Sequence, residues 1–133
     1  MTASLVEFER ARAARTEKRD AAALHAYRKA LTDGQDTIGA ILATAAVCLD
    51  IGDNKKARIL LASAVILLPI ERVEGRDPRA GEVYGMLGVA WARLGNLDEA
   101  RHALAKSIAE DEGDFIASCP EAQEASQKAW TFQ

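Results

Sequence analysis

The stretch that decides the fold is Tyr84–Leu104, YGMLGVAWARLGNLDEARHAL. Its apolar residues recur at helical spacing. Yet Gly85, Gly88 and Gly95 fall within eleven residues of it. An interior glycine costs about 1 kcal/mol relative to alanine in a helix, so each must be offset by close packing or by a turn. Gly95, in LGNLD, suits the left-handed residue that ends a helix. Gly85 and Gly88 sit inside the first helix and need another reason.

Working outward, the second helix of this stretch opens on Ala100. Its counterparts upstream are Ala57 in NKKARILLASAV and Ala23 in DAAALHAYRKAL. Ala23 and Ala57 stand 34 residues apart, Ala57 and Ala100 43 apart. The surplus of nine falls in one breaker-rich place, PIERVEGRDPRAG at Pro69–Gly81, which has the turn chemistry of an enlarged loop. The chain therefore divides into three units, about 4–37, 38–71 and 81–114, with an insertion loop over 69–81. Fixed-period self-similarity of this kind marks a helical repeat. Each unit splits into two helices at TEKRD, IGDN or LGNLD, with Gly52 and Gly95 in equivalent positions. The predicted helices are 4–17, 20–33, 38–51, 54–68, 81–94 and 97–111. Asp20 and Asn54 are the expected N-caps. A seventh, capping helix over about 118–131 is announced by SCPEAQEASQKAW, with Ser118 and Glu121 as a capping box and Pro120 in the first turn.

The third unit resembles a tetratricopeptide repeat. It shows Tyr84-x2-Leu87-Gly88-x2-Trp91 followed by Ala100-x3-Leu104, close to the W-x2-L-G-x2-Y…A-x3-F pattern of that family. The second unit keeps Ile41, Thr44, Ala45, Cys48, Ala57, Leu61 and the closing Pro69; the first keeps Ala11, Ala14, Ala23 and Tyr27. The resemblance implies an all-α, right-handed superhelix of three antiparallel helix pairs plus the seventh helix. It also implies that Ala11, Ala45 and Gly88 face Ala23, Ala57 and Ala100, where small side chains let paired helices touch. Gly85 would instead project toward the concave surface.

Carried over unit by unit, the family's geometry lines that concave surface with Phe8, Arg12 and Arg15, then Leu42, Ala46 and Leu49, then Gly85, Val89 and Arg93. Such a trough, apolar at its centre with arginines at its edges, implies non-catalytic binding of a peptide or partner helix, as in a small adaptor or chaperone, or else a trough filled by the seventh helix or a neighbouring subunit. The family's clamp for acidic chaperone tails is Lys, Asn, Asn, Lys and Arg. The matching positions here are Phe8, Arg12, Ala43, Glu82 and Met86, so that subtype is not expected. The alternative is a self-assembling homo-oligomeric scaffold. On the outward face of the second helices, unit one has His25, Lys29 and Thr32, and unit three His102, Lys106 and Ala109. The middle unit has Ile59, Ser63 and Ile66 there, inside a helix apolar nearly all round, and such a helix is normally buried on every side.

Composition narrows the rest. The 133 residues are 49% hydrophobic and 28% charged, with net charge −3, ordinary for one globular domain and unlike a nucleic-acid binder. The charge runs from +2 over residues 1–33 to −5 over residues 98–133. The longest apolar run, Ile59–Ile70, is shorter than the about 20 residues that span a bilayer. No secretory signal is expected from MTASLVEFERARAAR, whose first residues include acids, so a cytoplasmic protein without membrane contact follows. No phosphate loop, nucleophile elbow or metal motif appears, and neither catalysis nor a cofactor is expected. Cys48 takes the slot of Trp91 and reads as core; Cys119 precedes the last helix, whose dipole favours its thiolate. His25 and His102 read as separate surface residues, Tyr84 and Trp91 as core, and Trp130 with Phe132 as the staple of the terminal helix or, if exposed, as a contact site.

Overall fold

A computed structural model describes residues 18–71 and 79–131, and every regular element among them is helical. The chain runs through α1 (18–32), α2 (Thr37–Asp50), α3 (Asn54–Glu71), α4 (Ala80–Arg93), α5 (Leu97–Asp111), the single-turn α6 (Asp114–Ser118) and α7 (Pro120–Thr131). The expected helix 4–17, with Phe8, Ala11, Arg12 and Arg15, lies outside the described residues, as do most of the insertion loop and Phe132. No helix among the described residues is long and apolar enough to cross a membrane.

Turn chemistry sets the hairpins. Gly52 and Gly95 have φ of +81° and +83°, where a Cβ is strained. Each sits in the same double bond pattern. The Gly52 amide donates to the Leu49 carbonyl and the Asp53 amide to that of Cys48; the Gly95 amide donates to Ala92 and the Asn96 amide to Trp91. These are Schellman closures, which satisfy the last carbonyls of α2 and α4. The N-cap of α3 falls one residue before the one expected. Asp53, not Asn54, accepts from the Lys56 amide at 3.3 Å, and Asn54 is already helical. Asp20 lies inside α1, where its carboxylate pairs with Lys56 of α3.

Consecutive helices pack against each other: α2 on α3, α3 on α4 and, most extensively, α4 on α5. α2 also touches α4 directly. The core between them joins Ile38, Ala45, Leu61, Leu68 and Val83, all nearly inaccessible. Ala45 and Ala57 are fully buried, as is Cys48, which packs with Ala23, Ala57 and Ala90. α3 runs on through Pro69 to Glu71, three residues past its expected end.

The α4–α5 contact accounts for the interior glycines of α4. A methyl on Gly88 would stand 2.6 Å from Leu104 Cγ and 3.5 Å from the Ala100 carbonyl oxygen. Gly88 thus admits Leu104, which is fully buried. Gly81 receives the Ser107 hydroxyl, which donates to its carbonyl at 2.7 Å. Gly85 does not open onto a concave surface. It is buried beneath the Phe115 ring of α6, and Ser107 Oγ would lie 3.1 Å from an added methyl. The turn before α6 brings Phe115 there: Glu112 and Gly113 adopt left-handed φ of 60° and 87°. Asp111 then accepts from the Gly113 and Phe115 amides, both at 2.9 Å.

α7 closes the end of the bundle through alanine. Ala122, Ala125 and Ala129 are buried against Val89, Ala92, Ala100 and Leu104. Two side chains tie its far end down: Arg101 donates to the Ala129 carbonyl at 2.6 Å and Lys128 to the Ala92 carbonyl at 3.1 Å. Trp130 is not the staple expected from the sequence, since 39% of it is exposed. Nor does Ser118 form a capping box, because its hydroxyl donates backward to the Phe115 carbonyl. The residue before α7 is Cys119, whose carbonyl accepts from the Gln123 amide.

Candidate functional site

α2 and α4 are the first helices of the second and third units, and their exposed flanks face a common recess. From α2 come Ala46, Leu49 and Asp50; from α4, Met86, Val89 and Arg93. Phe115, Cys119 and Glu121 close the recess at the C-terminal side, leaving about 230 Å³. Four residues expected from the sequence, Ala46, Leu49, Val89 and Arg93, therefore meet in one pocket. They come from two helices with the insertion between them.

The floor is apolar and the rim is charged. Ala46 is exposed and Leu49 half-buried, while Val89 is nearly inaccessible because α7 also packs on it. Arg93 donates from Nη1 to the Leu49 carbonyl at 3.0 Å, which bridges α4 to α2 and fixes the guanidinium at the mouth. Glu121 sits across the pocket at the start of α7. A backbone amide at its own position and then the Cys119 thiol hold its carboxyl below the ordinary range. Cys119 Sγ donates to that carboxylate at 3.4 Å. The helix dipole does not win at this thiol: burial is the largest influence and pushes Cys119 up, away from the reactive thiolate.

Two groove residues lie elsewhere. Leu42 is buried in the core and borders a separate recess between α1, α2 and the start of α4. Arg79, which lines that recess, pairs with Asp36 at the start of α2 and with the Gly39 amide holds the Asp36 carboxyl down. Glu82 beside it is pushed up by burial, with Arg79 opposing. Gly85 lies under Phe115, so the chain's own C-terminal segment covers the upper part of the expected trough.

On the outward side, Ile59 is 48% and Ile66 71% exposed, with Ser63 between them donating to the Ile59 carbonyl. His25 and His102 are both exposed. Among the described residues no three His, Cys, Asp or Glu side chains gather as metal ligands. Tyr84 and Trp91 pack against the core but are not enclosed by it. Both are only half-buried and line a second recess, beside Arg58, His102 and Lys106. Repeat phasing assigned the two aromatics to packing and gave no sign of the cations, which arrive from α3 and α5. No family model matches the chain, and comparison with curated proteins and with solved structures finds no match.

Proposed function

We propose that the chain is a non-catalytic protein-binding module of tetratricopeptide type, whose α2/α4 pocket holds an apolar side chain of a peptide or partner helix. One observation carries the reading: Ala46, Leu49, Val89 and Arg93 converge on a single apolar recess with charges at its mouth. Stacked hairpins with matching Schellman turns support the repeat architecture. At about 230 Å³ the pocket is smaller than the roughly 300–1,000 Å³ usual for small-molecule sites, and it suits one anchoring residue. Asp50 and Glu121 set against Arg93 make the rim slightly acidic, so the anchor is expected to carry basic or neutral neighbours. The test is co-purification from the native cells with Ala46→Arg as control. Ala46 is exposed, so the substitution fills the pocket without entering the core. The wild type is expected to bring down a stoichiometric partner that the variant loses. A folded variant that retains every partner refutes the assignment.

A second reading, self-association through α3, draws support from the exposure of Ile66 and Ile59. Residues 59–68 hold no charged side chain, and a helix of that character is normally covered on all sides. Sedimentation of Ile59→Lys/Ile66→Lys beside wild type decides it. A monomeric profile for both ends this reading.

A further inference from the structure

α4 is a wall between two recesses. At 3.6 residues per turn, Met86, Val89 and Arg93 fall on one side of it, and Tyr84, Leu87 and Trp91 about 180° away. The second side faces a recess of about 210 Å³ between α3 and α5. Its floor is apolar and aromatic, and its rim is cationic. Arg58 reaches over Trp91, with Cζ 5.1 Å from the ring centroid, and Lys106 Nζ stands 5.4 Å from the centroid of Tyr84. His102 adds a third basic group, against the one lining carboxylate, Glu99. The Nε of Arg58 is buried and finds no hydrogen-bond acceptor among the described residues.

We propose that this recess is a second docking site, independent of the α2/α4 pocket, for an acidic peptide segment. An apolar or aromatic side chain of the peptide packs on Trp91 and Tyr84, and carboxylates beside it meet Arg58 and Lys106. Charge decides the class of partner: two permanent cations oppose one carboxylate at the mouth. Size decides its form, because about 210 Å³ holds one side chain and falls below the usual range for a free small molecule. The paired cation–ring contacts keep both cations near the aromatic faces. An incoming carboxylate therefore finds its partners already placed beside the apolar surface.

The test uses the full chain carrying Trp130→Phe, which leaves Trp91 as the only indole. The probe is a blocked peptide with a central Leu-Phe pair flanked by three glutamates on each side; the control peptide has lysines in their place. The glutamate peptide is expected to change Trp91 emission saturably at or below millimolar concentration, and the lysine peptide to leave it unchanged. Affinity is expected to fall at least tenfold in Lys106→Gln and in Arg58→Gln, to stay within threefold in Arg58→Lys, and to be unaffected by Ala46→Arg across the wall. Because Arg58 is partly buried, the Arg58→Lys and Lys106→Gln results stand even if Arg58→Gln fails to fold. Absence of a saturable response overturns the proposal, as does equal response to both peptides or indifference to Lys106→Gln. Phenylacetate binding there without the peptide makes the occupant a small anion and also overturns it. So does a concentration-dependent mass that Lys106→Gln abolishes, since the occupant is then a second copy.

Discussion

Gly88→Ala is the sharpest probe of the helix packing on which the fold rests. In an open helix the change would stabilise by about 1 kcal/mol. Here the new methyl would meet Leu104 at 2.6 Å from Cγ and 2.7 Å from Cδ2, where carbon atoms rest at about 3.5–4.0 Å. Leu104 is fully buried, and Cγ is not a free end that swings aside, so α5 must back away from α4 by about 1 Å. Overpacking of this kind costs about 1–3 kcal/mol. After the gain in propensity the expected net loss is about 1 kcal/mol, or about 4 °C in Tm for a domain of this size. Leu104→Ala alone is expected to cost about 2–5 kcal/mol. The double variant is expected to lose less than the sum, by at least about 0.5 kcal/mol, because the added methyl occupies part of the vacated space. Urea unfolding followed by circular dichroism measures all three. A Gly88→Ala protein more stable than wild type, with strict additivity in the double variant, would refute the close approach of α4 and α5.

Two further outcomes follow from titration. The Asp36 carboxyl is held below its ordinary value, so its contribution to stability is present above the unfolded carboxyl pKa and is lost as pH falls through the folded one. Burial raises Glu82, so its effect has the opposite sign: the fold is favoured below the unfolded pKa, and that advantage is lost as pH rises through the folded value. Arg79 lowers both groups; Arg79→Gln is expected to move both carboxyl titrations upward by NMR, and an unmoved Asp36 would contradict the ion pair. Burial, helped by the charge of Asp53, pushes the Cys48 thiol up to about 11. Iodoacetamide at pH 8 is expected to modify half-buried Cys119 well before Cys48, and comparable rates in the native protein would contradict the packed position of Cys48.

Local, periodic features were legible in the sequence. The breaks at IGDN and LGNLD, the left-handed Gly52 and Gly95, and the burial of Ala45, Ala57, Gly88 and Ala100 all follow from spacing and turn chemistry. Of the six expected groove residues among the described residues, Ala46, Leu49, Val89 and Arg93 line one recess, while Leu42 and Gly85 do not. The losses come from contacts between residues distant in sequence. α6 is one turn long, too short to show a period, and Phe115 lands on Gly85 thirty positions upstream. The cap of α3 was misplaced by one residue because Asp53 and Asn54 are adjacent and both have side chains suited to capping. Trp91 and Tyr84 read as core because the family pattern places them there; the cations over their rings come from other helices and follow no spacing rule.

The seam that seats α7 is built from alanine. Three methyl groups remove little apolar area from water compared with leucines at the same spacing, and the two tethers from Arg101 and Lys128 each end on a single carbonyl. The last helix is thus held by small, buried contacts to α4 and α5 and by two polar tethers. Those three alanines cover Val89 and Ala92, whereas the roof of the α2/α4 pocket is Phe115 and Cys119, which precede α7 and do not depend on the seam.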